Sequence, residues 1–180
     1  GLMALQRHPQ IRIAVNMSAR SVGYKPWQGM LARALATHPE IGKGLILEIS
    51  ESSAMQMPDV LMPFMADLRR KHIAFTLDDF GAGATSLSLL NAFRFDIAKL
   101  DGLFIRSIDH NAENQRLVRA AIAMAKEFNM FLVAEAVETN AEAIWLRDYG
   151  IGCLQGYLFG APEVSPDFSR FRRGRSKGLG

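Results

Sequence analysis

Residues 73–87 read IAFTLDDFGAGATSL: an apolar, β-rich run ends on two adjacent acids, Asp78 and Asp79, and passes into a loop carrying Gly81 and Gly83. Runs of the same kind recur along the chain as IRIAVNM (11–17), GLILEIS (44–50), FDIAKL (95–100), MFLVAEAV (130–137) and GYLF (156–159). Helical patterns fill the gaps. In ENQRLVRAAIAMAKEF (113–128), Leu117, Val118, Ala121, Ile122, Ala125 and Phe128 share one face. LMPFMADLRRKH predicts a helix starting near Leu61 or Met62, because Pro63 is tolerated only in a first turn. Strands that alternate with helices imply parallel βα units.

Doubly wound sheets and barrels are both built from such units, so the polar residues have to choose between them. Asn16, Glu48, Asp78, Asp79, Lys99 and Glu135 each sit at or near the last residues of an expected strand, and Gln155 lies just before the sixth. In a barrel those ends converge on one mouth, where barrel active sites are found; an open sheet would spread them along an edge. The expected fold is therefore α/β, a (β/α)8 barrel, which the resemblance described below implies in modified form. Eight strands need roughly 250 residues, so six units form an unclosed wall whose first two strands would precede residue 1. Side chains alternate across a strand, so Glu48 points inward only if Ile46 does too.

Composition narrows the class. The chain has 180 residues, 49% of them hydrophobic, and a formal charge of +3. Arg170, Arg172, Arg173, Arg175 and Lys177 lie in the last eleven residues; without those five, 21 basic residues become 16 against 18 acidic, a net of −2. The body is thus no basic platform for DNA or RNA. Residues 1–164 are expected to form the barrel domain and 165–180 a C-terminal helix or basic tail, solvated and frayed. One cysteine, Cys153, permits no internal disulfide and no thiolate-clustered zinc site, and it reads as a small buried hydrophobe. The reducing cytoplasm fits this usage. No run approaches the ~20 apolar residues of a membrane span. His8, His38, His72 and His110 fall away from the strand tips, which argues against a histidine-metal site.

Each polar residue also has an ordinary explanation. Asp79 could cap a helix beginning near Ala84 or Thr85, Glu51 could be a surface acid, and Lys99 could pair with Asp96 or Asp101. Taken together those explanations weaken. Four carboxylates from three strands, with an asparagine amide from a fourth, repel one another unless positive charge stands among them. Oxygen ligands without thiolate or histidine select hard divalent cations, Mg²⁺, Mn²⁺ or Ca²⁺. Adjacent acids at a strand end suit a paired-metal clamp, in which one carboxylate bridges two ions.

Six strings in order resemble one family. NMSARS (16–21), LEISES (47–52), LDDFGAGATSL (77–87), FDIAKLDGLFI (95–105), VAEAVET (133–139) and QGYLFGAP (155–162) are similar to the motifs of EAL-domain cyclic di-GMP phosphodiesterases. The resemblance implies hydrolysis of the bacterial second messenger cyclic di-GMP to linear pGpG with two divalent cations, Mg²⁺ or Mn²⁺, Ca²⁺ being inhibitory. It implies Asn16, Glu48, Asp78, Asp79 and Glu135 as metal ligands, with Asp78 the bridge. Lys99 would hold the attacking water, Glu135 would also be the general base, and Gln155 would orient water or substrate. Glu51 would anchor the loop of Gly81 and Gly83, a segment that family members use for dimer contact.

The same resemblance implies a homodimer, with regulatory or sensor domains in the full-length protein, cytoplasmic or tethered to the inner membrane through domains outside this chain. The family's name-giving Glu-Ala-Leu strand would lie before residue 1. Ala136 stands where the family usually has Gly, Gly152 where many members have Asp, and Ser50 where they have Thr. The alternative is a catalytically inactive EAL domain acting as a cyclic di-GMP receptor or protein-interaction module. An unrelated barrel phosphatase acting on phosphomonoesters is a third reading.

Overall fold

The computed structural model describes residues 1–82, 87–164 and 166–168. The elements follow in the order α1 (Leu2–Arg7), β1 (Ile13–Asn16), a 3-10 turn (Ala19–Gly23), α2 (Lys25–Thr37), α3 (Ile41–Gly44), β2 (Leu45–Ser50), α4 (Glu51–Gln56), α5 (Pro58–Arg69) and β3 (Ala74–Phe80). Then come α6 (Leu87–Phe93), β4 (Ile97–Leu100), α7 (Gly102–Ile105), α8 (Ala112–Glu127), β5 (Phe131–Ala134), α9 (Asn140–Asp148) and β6 (Cys153–Leu154). The six strands form one sheet in the order β1-β2-β3-β4-β5-β6, and every pairing is parallel. The sheet curls as a part-barrel with β1 and β6 at its two edges, as the unit count required.

Strand parity divides the sheet into two layers. Leu45, Leu47, Ile49, Phe75, Leu77, Ala98, Leu100 and Leu132 join the main apolar core, with Leu61, Met65 and Leu68 of α5 and Val118 and Ala125 of α8. On the opposite, inner face Ile46, Ile97 and Val133 form a smaller cluster, with Ala74 and Cys153 packed against it. One step further along each strand, with the same parity, stand Glu48, Thr76, Lys99, Glu135 and Gln155. The inner wall is therefore apolar below and charged above. The Cys153 thiol belongs to the apolar layer, where burial raises its pKa.

Several boundaries depart from the sequence expectation. β1 covers only 13–16 of the expected 11–17. β5 ends at Ala134 rather than at 137, because Ala136 turns into the left-handed region at φ +52°. The sixth strand is Cys153–Leu154, not GYLF. Gln155 directly follows that strand, its N–H donating to the Ala134 carbonyl at 2.8 Å and its carbonyl accepting from the Val137 N–H at 3.0 Å. The GYLF segment then turns, with the Phe159 N–H bonded to the Gly156 carbonyl.

α5 begins at Pro58, so Pro63 lies inside the helix rather than in its first turn. The missing N–H leaves the Asp59 carbonyl without its helical donor, and Asp59 is exposed, so water can serve it. α8 matches its expected span and is capped by the Asn111 side chain, which accepts from Glu113 and Asn114. Leu117, at the rim of its apolar stripe, is exposed. Ala84, Thr85 and the basic residues from Arg170 onward lie outside the described residues, so the helix cap offered for Asp79 and the form of the tail do too.

Candidate active site

Two neighbouring acids on a regular strand would point to opposite faces. The register explains how both reach the mouth: Leu77 pairs with Ala98 and Phe80 with Leu100, so Asp78 and Asp79 together oppose Lys99 alone. This is a β-bulge. Asp79 sits at φ +58°, and the extra residue returns Phe80 to the core side, where it is 1% exposed. Gly81, at φ +93°, carries the chain away beneath the Phe104 ring, which a Cβ there would approach to 3.1 Å.

Lys99 is the centre of the cluster. Its Nζ lies 3.2 Å and 3.3 Å from the two carboxylate oxygens of Glu48, 3.5 Å from Asp78 Oδ1 and 2.5 Å from Glu135 Oε1. Lys99 is 7% and Glu48 8% exposed. Asp96 and Asp101, the alternative partners, are otherwise engaged. Asp96 accepts from the Phe75 N–H at 2.8 Å and lies 3.8 Å from Arg69, while Asp101 caps α7 through the Leu103 N–H at 2.7 Å.

Three carboxylates thus share one ammonium, and the cluster is short of positive charge. Burial alone would lower the pKa of Lys99, but the hydrogen bond and charge of Glu135, together with Glu48 and Asp78, hold it well above the usual lysine range. Glu135 is raised by burial and by repulsion from Asp78 and Glu48, against the pull of Lys99. Asp79 is raised by burial and by the neighbouring Asp78 and Asp101, with Lys99 opposing. Unit charges 4 Å apart interact by roughly 4 kcal/mol at an effective dielectric constant of ~20, so one lysine cannot balance this many acids.

The donor set fits divalent cations. It is all oxygen, and Asp78 Oδ1 is a buried oxygen with no hydrogen-bond partner among the described residues, 3.5 Å from the Lys99 ammonium. As they stand, no three His, Cys, Asp or Glu side chains among the described residues are disposed as a metal shell; Glu48, Asp78 and Glu135 close on Lys99. Asn16 ends β1 in register with Glu48 and is exposed toward the mouth. Gln155 is also exposed there.

Glu51 is no surface acid: it is 6% exposed at the first position of α4, behind the Ser50 cap. Gly83 lies outside the described residues. His8, His38 and His72 follow the C-terminal ends of helices, on the side where chains enter the strands, as expected.

Three residues escaped the sequence reading. Thr76 is 1% exposed on the inner face, in register with Glu48; its parity with Asp78 was the available signal. Asp101 figures in the sequence only as a candidate partner of Lys99, yet its charge reaches Asp79. Glu142 is 5% exposed and accepts from the N–H groups of Ser107 at 2.8 Å and of Glu138 and Thr139 at 3.0 Å each. It pins the loop that follows Glu135, and the Thr139–Glu142 capping box was its sequence signal.

A parallel part-barrel whose strand tips gather acids around a buried lysine defines a barrel protein with a polyanionic, cation-seeking mouth. The EAL domain model matches residues 2–162, and the chain belongs to the EAL-domain family. It is 34% identical over 155 residues to the bifunctional diguanylate cyclase/cyclic di-GMP phosphodiesterase MucR of Pseudomonas aeruginosa, covering 86% of this chain and 23% of that protein. The chain therefore spans about a quarter of that relative's length.

Among solved structures it is similar to the PaMucR phosphodiesterase in complex with c-di-GMP, at 33% identity and a TM-score of 0.78, over 89% of this chain and 66% of that one. It is also similar to the manganese/cyclic di-GMP complex of Klebsiella pneumoniae BlrP1 at pH 6, at 29% identity and a TM-score of 0.79, over 89% and 42%. Among the described residues no helix is long and apolar enough to cross a membrane.

Proposed function

We propose that this chain forms the catalytic part of a cyclic di-GMP phosphodiesterase, which hydrolyses one phosphodiester of the cyclic dinucleotide to give linear pGpG. The observation that carries the reading is the convergence of Glu48, Asp78 and Glu135 on Lys99 at the C-terminal end of a parallel sheet. Family membership supports it, as do similar structures described as complexes with cyclic di-GMP and manganese.

Asn16, Glu48, Asp78, Asp79 and Glu135 are the residues that would hold two divalent cations, Mg²⁺ or Mn²⁺. Bound there, the ions would supply Lewis-acid polarisation of the phosphate and a more acidic water. The chain's own groups do the rest. Glu135, with its pKa raised, accepts the proton of the attacking water as its oxygen bonds to phosphorus. Lys99 faces the charge that builds on the phosphoryl oxygens as the bond to the 3′ oxygen breaks, and that oxygen leaves as a hydroxyl by taking up a proton from solvent. Gln155, its backbone fixed between β5 and the following loop, orients water or substrate. Glu51, buried at the start of α4, steadies the loop after Asp79.

We extend the proposal to a homodimer and to regulatory or sensor domains on the same polypeptide; the greater length of the similar MucR supports the latter. The test is incubation of the purified protein with cyclic di-GMP and Mn²⁺, with and without EDTA, following pGpG by chromatography. Product that requires metal is the expected result. Tight binding without product at saturating metal would move the assignment to a cyclic di-GMP receptor.

A further inference from the structure

The lysine at the centre of the acids poses a problem of occupancy. Divalent cations sit about 2.0–2.6 Å from their oxygen ligands, whereas the Lys99 ammonium already lies 2.5–3.5 Å from oxygens of Glu48, Asp78 and Glu135. Both kinds of cation call on the same lone pairs. The ammonium is also tethered: Lys99 sits on β4 between its bulged partner β3 and β5, in register with Val133, and its side chain is only 9% exposed. Tethered to β4, the ammonium stays within reach of these oxygens when another cation arrives.

We propose that Lys99 is a built-in counter-ion that divalent cations have to outcompete, so that this one lysine both holds the acid cluster together without metal and limits how tightly the cluster binds it. The competition rests on the metal assignment made above; the counter-ion role rests on the ion pairs alone. It follows that the lysine trades affinity for reversibility, since without an internal cation the folded acids would depend on metal for their charge balance.

The experiment compares wild type, Lys99→Met and the double variant Lys99→Met/Glu135→Gln, each unfolded in urea with EDTA and titrated with Mn²⁺ by calorimetry. In EDTA the single variant is expected to unfold at a lower urea midpoint. The double variant, having one acid fewer to balance, is expected to regain at least half of that shift. Mn²⁺ is expected to bind Lys99→Met at least tenfold more tightly than wild type.

An unchanged midpoint, or a double variant no better than the single, overturns the counter-ion role. Equal or weaker Mn²⁺ affinity in Lys99→Met overturns the competition. Mn²⁺ binding to neither protein overturns the metal assignment itself, whereas the EDTA comparison still judges the lysine. If Lys99→Met folds in neither condition, Lys99→Arg decides: restored folding supports a need for charge, and failure shows a need for shape and overturns the role.

Discussion

Gly102 and Ala136 meet where β4 and β5 release their chains into the mouth, next to Lys99 and Glu135. A Cβ built on Gly102 would lie 2.6 Å from the Ala136 Cβ, and its next neighbours, the Ala136 Cα and the Glu135 carbonyl oxygen, are at an ordinary 4.0 Å. Carbon atoms rest at about 3.5–4.0 Å, so Gly102→Ala creates one overlap of about 1 Å and no other. Overpacking of this kind costs roughly 1–3 kcal/mol.

Ala136 itself occupies φ +52°, a conformation that costs a non-glycine residue about 1–2 kcal/mol. Ala136→Gly relieves that strain but loses roughly 0.5–1 kcal/mol to backbone entropy, leaving a gain of about 0–1.5 kcal/mol. In the double variant the overlap is gone, so Gly102→Ala should cost almost nothing. The cycle therefore predicts a coupling of about 1–3 kcal/mol, read from urea unfolding of all four proteins at constant m. With m of about 1–3 kcal/mol/M the single variant's midpoint falls on the order of 1 M.

Activity should follow, because the loop must move to separate the methyls and Glu135 moves with it. A misplacement near 1 Å costs roughly 100-fold in rate. Effects that add within about 0.5 kcal/mol, with kcat unchanged in Gly102→Ala, would refute both the contact and its link to Glu135.

Asp78→Asn keeps the shape of the side chain and removes its charge; Mn²⁺ at a hundred times its wild-type Kd, which should stabilise wild type by about 2.7 kcal/mol, is expected to shift the thermal midpoint of the variant hardly at all. Glu142→Gln is expected to cost about 1–3 kcal/mol in urea unfolding at pH 7, since one of the oxygens serving Ser107, Glu138 and Thr139 becomes a donor. Its pH dependence has a defined sign. Burial would raise the Glu142 pKa, but those N–H groups outweigh it and hold the carboxyl below its ordinary 4.5; its contribution is present above 4.5 and lost as pH falls through the lower, folded value. Wild type should therefore lose more stability than Glu142→Gln on acidification through that window. Gly156→Ala places a Cβ 2.2 Å from the Val137 carbonyl oxygen and 2.3 Å from its nitrogen, both rigid backbone, and a loss above about 3 kcal/mol is expected in the same assay.

Much of this molecule was written locally. Period-2 alternation in GLILEIS assigns Glu48 and Ile46 to the same face, and the structure places Ile46 in the inner apolar cluster with Glu48 above it. Alternation of strands and helices gives the parallel order, and glycine, proline and Asn/Asp/Ser/Thr punctuation gives most element starts. Where local reading failed, a distant contact had intervened. GYLF has a strand's composition, yet Gly156 packs its backbone against Val137 and the chain turns there. Pro63 suggests a helix start, yet the apolar face of Leu61, Met65 and Leu68 pays for an interior proline by packing against the core.

The acids were legible as a set because residue type and strand position are properties of the sequence. Which cation they surround was not, because Lys99 and Glu48 are 51 positions apart and meet only when β2, β3 and β4 lie side by side. The bulge that seats Asp78 and Asp79 together against Lys99 is likewise a relation between two strands. Sequence by itself determined the kinds of group brought to the mouth; pairing register, which exists only between strands, decided their distances and hence their electrostatics.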